Sequence, residues 1–146
     1  MNTAIKTAGI QEDVKISVRM KLSGLWVAMM LLYIYADILS LFRPGQLTEI
    51  MDGRMGPLLV TQASLLTASI LMIIPAVMVF LSLALKPTVN RWTNITLGVL
   101  YTLVNIGNLI GETWIYYLSF GVVEIVISLL IVWNAWKWSD TERRPL

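Results

Sequence analysis

Apolar residues run through this chain in four long stretches, 22–42, 58–85, 89–110 and 114–136, separated by short polar breaks. Each is long enough for a helix to cross a bilayer core of about 30 Å at roughly 1.5 Å per residue. Helix punctuation marks their ends. Pro44-Gly45 follows the first, Gly56-Pro57 opens the second with proline in its first turn, Lys86-Pro87 closes it, and Gly111 ends the third. The pattern predicts an all-α integral membrane protein, an up-and-down four-helix bundle. Residues 1–21 form a polar arm, 22–136 the membrane domain and 137–146 a tail. The first stretch is too long for a signal-peptide core and no small-residue cleavage pattern follows it, so it is expected to be retained.

The breaks differ in length, and this predicts neighbours. Gly111-Glu112-Thr113 is so short that spans three and four must be adjacent and antiparallel, with Thr113 expected to cap the fourth helix. The first break reads PGQLTEIMDG, in which Leu47, Ile50 and Met51 recur at helical spacing. It is either an ordinary turn or a short amphipathic helix lying on the surface as a lid.

Charge gives the spans a direction. Of the eleven basic residues, nine (positions 6, 15, 19, 21, 86, 91, 137, 143 and 144) belong to the arm, the second break and the tail. Only Arg43 and Arg54 lie on the other side, so the positive-inside rule puts both termini in the cytoplasm. Trp26, Trp92, Trp136 and Trp138 at one level and Trp114, Tyr116 and Tyr117 at the other fit interfacial aromatic belts. Four-helix drug exporters that insert both ways need nearly balanced loops, so this chain is expected to insert one way only.

Composition narrows the chemistry. Hydrophobic residues make up 57% and charged residues 14% of 146, net charge is +2, and the mean hydropathy of +0.73 requires apolar surface to face lipid. No basic face suggests nucleic acid as a partner. Cysteine and histidine are both absent, which excludes disulfide chemistry, thiolate nucleophiles and the usual zinc, copper and haem ligands. No nucleotide loop or serine elbow is present, and no cofactor or metal is implied.

Polar residues inside the spans are therefore the candidates. Asp37 and Glu124 are the only charged residues well within them, and an acid at a span centre costs about 2.5–3.5 kcal/mol on insertion scales. Met30, Tyr33, Asp37 and Ser40 share one face of span one, and Tyr117, Gly121, Glu124 and Ser128 one face of span four. Asn94, Gly98, Thr102, Asn105, Asn108 and Glu112 form a stripe along span three. Span two contributes Gln62 near its outer end. Counting from the outer boundary puts Asp37 and Asn105 about 10 Å deep and Glu124 about 15 Å deep. These depths predict an outward-opening acidic pocket of Tyr33, Asp37, Gln62, Asn105, Asn108, Glu112, Tyr117 and Glu124 above a largely apolar inner half. With no base inside, one acid is expected to hold a proton shared with the amides. The competing reading makes these residues helix adhesive, at around 0.6 kcal/mol per hydrogen bond. Gly107-xxx-Gly111 is expected to pack span three against span four, with a dimer contact as the alternative, and Pro75 to free a carbonyl and kink span two.

The segments YIYADILSLFRPG (33–45), NRWTNI (90–95), YYLSFGVVEIV (116–126) and IVWNAWKW (131–138) resemble a family of small bacterial four-helix membrane proteins catalogued as a domain of unknown function. The resemblance implies a multi-pass protein of the bacterial inner membrane and carries no activity. Three functions remain open. One is binding or transport of a small molecule or cation, with or without proton coupling. The second is a membrane enzyme using carboxylate acid/base chemistry on a lipophilic substrate, as sterol-isomerase-like bundles do by analogy. The third is an accessory or scaffold subunit. Expected partners are membrane lipids, a small lipophilic or cationic ligand and a second copy of the chain.

Overall fold

The computed structural model describes residues 16–138, so 1–15 of the expected arm and 139–146 of the tail lie outside the described residues. The chain is mainly helical: α1 (Val18–Ser40), α2 (Gln46–Met51), α3 (Gln62–Ala84), α4 (Pro87–Leu109) and α5 (Ile115–Lys137), with a two-stranded hairpin, β1 (Arg54–Met55) and β2 (Leu58–Leu59), between α2 and α3. Each of the four long helices has 23 residues.

Local chemistry explains where the boundaries depart from expectation. Helix α1 starts at Val18 and not at position 22, because Ser17 caps it by accepting the Met20 N–H at 3.3 Å. Gly56-Pro57 does not open α3. It forms the turn of the hairpin, with Gly56 at φ +57°, and α3 starts at Gln62 behind a Thr61/Ser64 capping box. Thr113 does not cap α5 either. The helix begins after Trp114 with no side-chain cap, and Glu112 Oε1 instead accepts the N–H groups of Thr113 (2.8 Å) and Trp114 (2.9 Å). The first break does contain a helix, α2, set off by Gly45 at φ +84°.

Cross-helix hydrogen bonds fix the directions. Ser23 near the start of α1 donates to Val79 O near the end of α3 at 2.8 Å, so these helices are antiparallel. Trp26 pairs with Asn94 and, two turns on, Tyr33 with Asn105, so α1 and α4 run parallel. Thr102 meets Ser128 across the antiparallel α4–α5 pair. Helix α1 packs against both α3 and α5, and α5 against α4. Leu22, Trp26, Met29 and Tyr33, one face of α1 at helical spacing, form the core with Met78, Tyr101 and Ile131.

The half expected to be apolar holds a buried polar cluster. Asn90, Asn94 and Ser82 are fully buried. Trp26 Nε1 donates to Asn94 Oδ1 (2.7 Å), Asn94 Nδ2 to Asn90 Oδ1 (2.6 Å), and Asn90 Nδ2 to Ser82 O (2.6 Å). The stripe on α4 runs its whole length, so amides face inward at both ends and each needs a partner. At the same end Arg19 donates to Leu83 O and Arg91 to Ala135 O and Trp136 O, satisfying terminal carbonyls of α3 and α5.

Glycine contacts also correct the sequence reading. A Cβ at Gly107 or Gly111 would meet open space, whereas one at Gly98 would lie 3.3 Å from Ser128 O and 2.7 Å from Val132 Cγ2. Close approach of α4 and α5 is therefore made by Gly98, and by Gly121 against Leu109. Gly111 matters for its backbone, at φ +82° in the turn.

Pro75 is buried inside α3 and lacks the N–H that would bond the carbonyl four residues back, Leu71 O. Tyr101 of α4 fills that gap, its hydroxyl donating to Leu71 O at 2.7 Å while its ring lies edge-on to Trp26. This pairing yields a double-mutant test. Tyr101→Phe is expected to lower stability to denaturation in detergent by about 0.6–1.7 kcal/mol. In a Pro75→Ala background the restored helical bond satisfies the carbonyl, so the same change is expected to cost little. Equal costs in the two backgrounds would refute the account.

Candidate functional site

Two adjoining cavities occupy the end of the molecule opposite the asparagine cluster. The inner one, about 190 Å³, is lined by Tyr33, Ala36, Asp37, Ala68, Leu71, Met72, Tyr101, Val104, Asn108, Tyr117 and Glu124. An outer recess of about 500 Å³ is lined by Asp37, Ser40, Arg43, Gln46, Met55, Gly56, Pro57, Gly107, Asn108, Ile110, Glu112 and Tyr117. Asp37, Asn108 and Tyr117 border both, so they form the neck between them.

Helical spacing explains why these side chains converge. Tyr33 and Asp37 are one turn apart on α1, Tyr101, Val104 and Asn108 follow the inward face of α4, and Tyr117 and Glu124 lie two turns apart on α5. Glu124 is only 6% exposed. Among the described residues its carboxylate has no hydrogen-bond or ion-pair partner, and no basic side chain lines the inner cavity. Asp37 likewise has no partner there and is exposed towards the recess.

The remaining expected residues separate. Asn105 is fully buried behind Tyr33, whose hydroxyl donates to its Oδ1 at 2.6 Å, and its Nδ2 is a buried donor with no partner. Gln62 is exposed at the first turn of α3 and lines neither cavity, because that helix starts later than its apolar run suggests. Glu112 lines the outer recess, yet most of its acceptor capacity is already engaged. Oε1 takes two backbone N–H groups and Oε2 accepts from Arg43 Nη2 at 2.9 Å. It organises the α4–α5 turn.

Sequence reasoning missed Arg43 and Tyr116. Arg43 Nε donates to the Tyr116 hydroxyl, and the guanidinium lies over the rings of Trp114, Tyr116 and Tyr117 at 5.1–5.4 Å. Ser40 Oγ adds a 3.0 Å contact to the same hydroxyl. The available signal was that Arg43 is one of two basic residues outside the arm, the second break and the tail, with the aromatic run Trp114, Tyr116 and Tyr117 expected at the same level.

The family model of the family of unknown function DUF6326 matches residues 13–144. The chain belongs to that family. No curated protein and no solved structure matches it. The match takes in both cavities and the Arg43–Glu112 clamp.

Burial opposes ionisation of Glu112, but the Trp114 N–H, the Arg43 guanidinium and the Thr113 N–H outweigh it and hold the carboxyl below the usual carboxylate range. A folded-state value below the unfolded one adds stability that is complete above the unfolded value and is lost as pH falls through the folded one. Thermal stability is therefore expected to decline as pH drops below about 4, the unfolded glutamate range. Glu112→Gln is expected to be less stable at neutral pH and flatter across that acidic window. Parallel pH profiles for the two proteins would remove Glu112 from this role.

Proposed function

We propose that this protein is a multi-pass protein of the bacterial inner membrane, an up-and-down four-helix bundle with cytoplasmic termini, that binds or transports a small cation through an outward-facing acidic pocket. Three helices, Val18–Ser40, Gln62–Ala84 and Ile115–Lys137, are long and apolar enough to cross a membrane. Helix α4 falls short on composition because of its asparagines. Asn90, Asn94 and Asn105 face the interior, while Val89, Trp92, Val99, Leu100, Leu103 and Ile106 are exposed, an inside-out pattern suited to a fourth span. The exposed apolar surface all round the long helices supports a lipid environment. Arg19, Lys21, Lys86, Arg91 and Lys137 gather at the end away from the recess, which supports the cytoplasmic assignment of that end.

The observation that carries the cation reading is Glu124, a buried carboxyl without a protein partner that shares a base-free cavity with Asp37. A carboxylate in a mostly buried residue with no protein donor favours a proton or a cation, and the rings of Tyr33, Tyr101 and Tyr117 line the same space. At about 190 Å³ the inner cavity is smaller than the roughly 300–1,000 Å³ typical of drug-sized ligands, which favours a small occupant.

The reading is tested by calorimetric titration of small inorganic and organic cations into the protein in lipid nanodiscs. Asp37→Asn and Glu124→Gln are each expected to weaken the bound cation at least tenfold, about 1.4 kcal/mol. If both variants leave binding and thermal stability unchanged from pH 5 to 8, the pocket has no cation to hold. Lowered stability with unchanged binding would instead assign the acids to helix adhesion.

A further inference from the structure

The hydrogen-bond directions around the inner cavity narrow the ligand class, an inference that rests on the cation reading above. Tyr101 donates its proton to Leu71 O, and a carbonyl can only accept, so the phenol offers the cavity lone pairs and no donor. Tyr33 likewise donates its proton to Asn105 Oδ1. Glu124 and Asp37, when ionised, are acceptors only. Four oxygen-bearing groups from three helices thus line the inner cavity with acceptors, Asp37 at its neck beside Asn108 and Tyr117, the two lining side chains with donors to spare. The rest of the lining is apolar, with Ala36, Ala68, Leu71 and Met72 giving it an aliphatic wall.

We propose that the site is built for a protonated primary amine with a short alkyl chain. Its N–H bonds satisfy Glu124 and the phenol oxygens, its charge answers the acids, and its carbon chain lies on the aliphatic wall. A quaternary ammonium matches the charge and the ring faces but has no N–H, so it leaves buried acceptors unpaired, a defect that polar sites discriminate against strongly. A bare metal ion matches the oxygens but gains nothing from the aliphatic wall, and two carboxylates are few for a hard-cation cage. A neutral alcohol of the same length brings a single donor and no charge.

The test titrates n-butylammonium, butyltrimethylammonium, sodium and n-butanol into the full-length protein in nanodiscs. Butylammonium is expected to bind at least tenfold more tightly than the other three. Tyr101→Phe, which keeps the ring and removes one acceptor, is expected to weaken butylammonium while leaving butyltrimethylammonium unchanged. The same measurement in the Pro75→Ala background separates lost recognition from lost stability, since there the Leu71 carbonyl is satisfied without Tyr101. Equal or tighter binding of butyltrimethylammonium overturns the primary-amine assignment and leaves the cation reading standing, as does equal binding of sodium. Binding of none of the three cations overturns both.

Discussion

A buried amide side chain needs a hydrogen-bond partner, so a helix with asparagines spread along one side has a place only where other helices supply partners. Helix α4 imposes that constraint on the whole molecule. Asn90 and Asn94 are answered by Trp26 of α1 and Ser82 of α3, and Asn105 by Tyr33 of α1. These bonds set α1 parallel to α4 and fix its register at two points seven residues apart on α1 and eleven apart on α4. Helix α5 then closes against the small residue Gly98, where a larger side chain would collide with Val132.

The same constraint shapes the chemistry of the cavity. Pro75 opens a gap in the backbone bonding of α3, and Tyr101 fills it with the one proton its hydroxyl has. Tyr33 commits its proton to Asn105 in the same way. Bonds that hold the helices together therefore also decide which hydrogen-bonding groups remain for an occupant. On the proposed amine reading, structural and recognition roles share the same atoms, so the separation of the two needs paired substitutions instead of single ones.

Charge is partitioned just as sharply. Of the two bases at the cavity end, Arg43 lines the outer recess and is engaged by Glu112 and Tyr116 and covered by aromatic rings, while neither lines the inner cavity with the acids. Glu124 has no basic side chain among the residues lining its cavity. Acids that look alike in the sequence thus end in different circumstances. Glu112 is bonded to Arg43 and two backbone N–H groups at the rim, Asp37 is exposed at the neck, and Glu124 is buried without a partner among the described residues.

By itself, the sequence determined the long helices, their apolar outer faces, the three polar stripes and the isolation of two acids within them, because hydrophobic period and residue type are local properties of a helix. It also placed Tyr33, Asp37, Asn108, Tyr117 and Glu124 on faces that do share a cavity. Only the tertiary structure decided that Gln62 stands outside, that Glu112 belongs to Arg43, that Gly98 and not Gly107 makes the close approach, and that an asparagine cluster occupies the far end. Those outcomes depend on how far each helix is rotated and slid against its neighbours. A shift of one residue turns a helical side chain by about 100°, so partners across helices are fixed by packing and not by spacing along the chain.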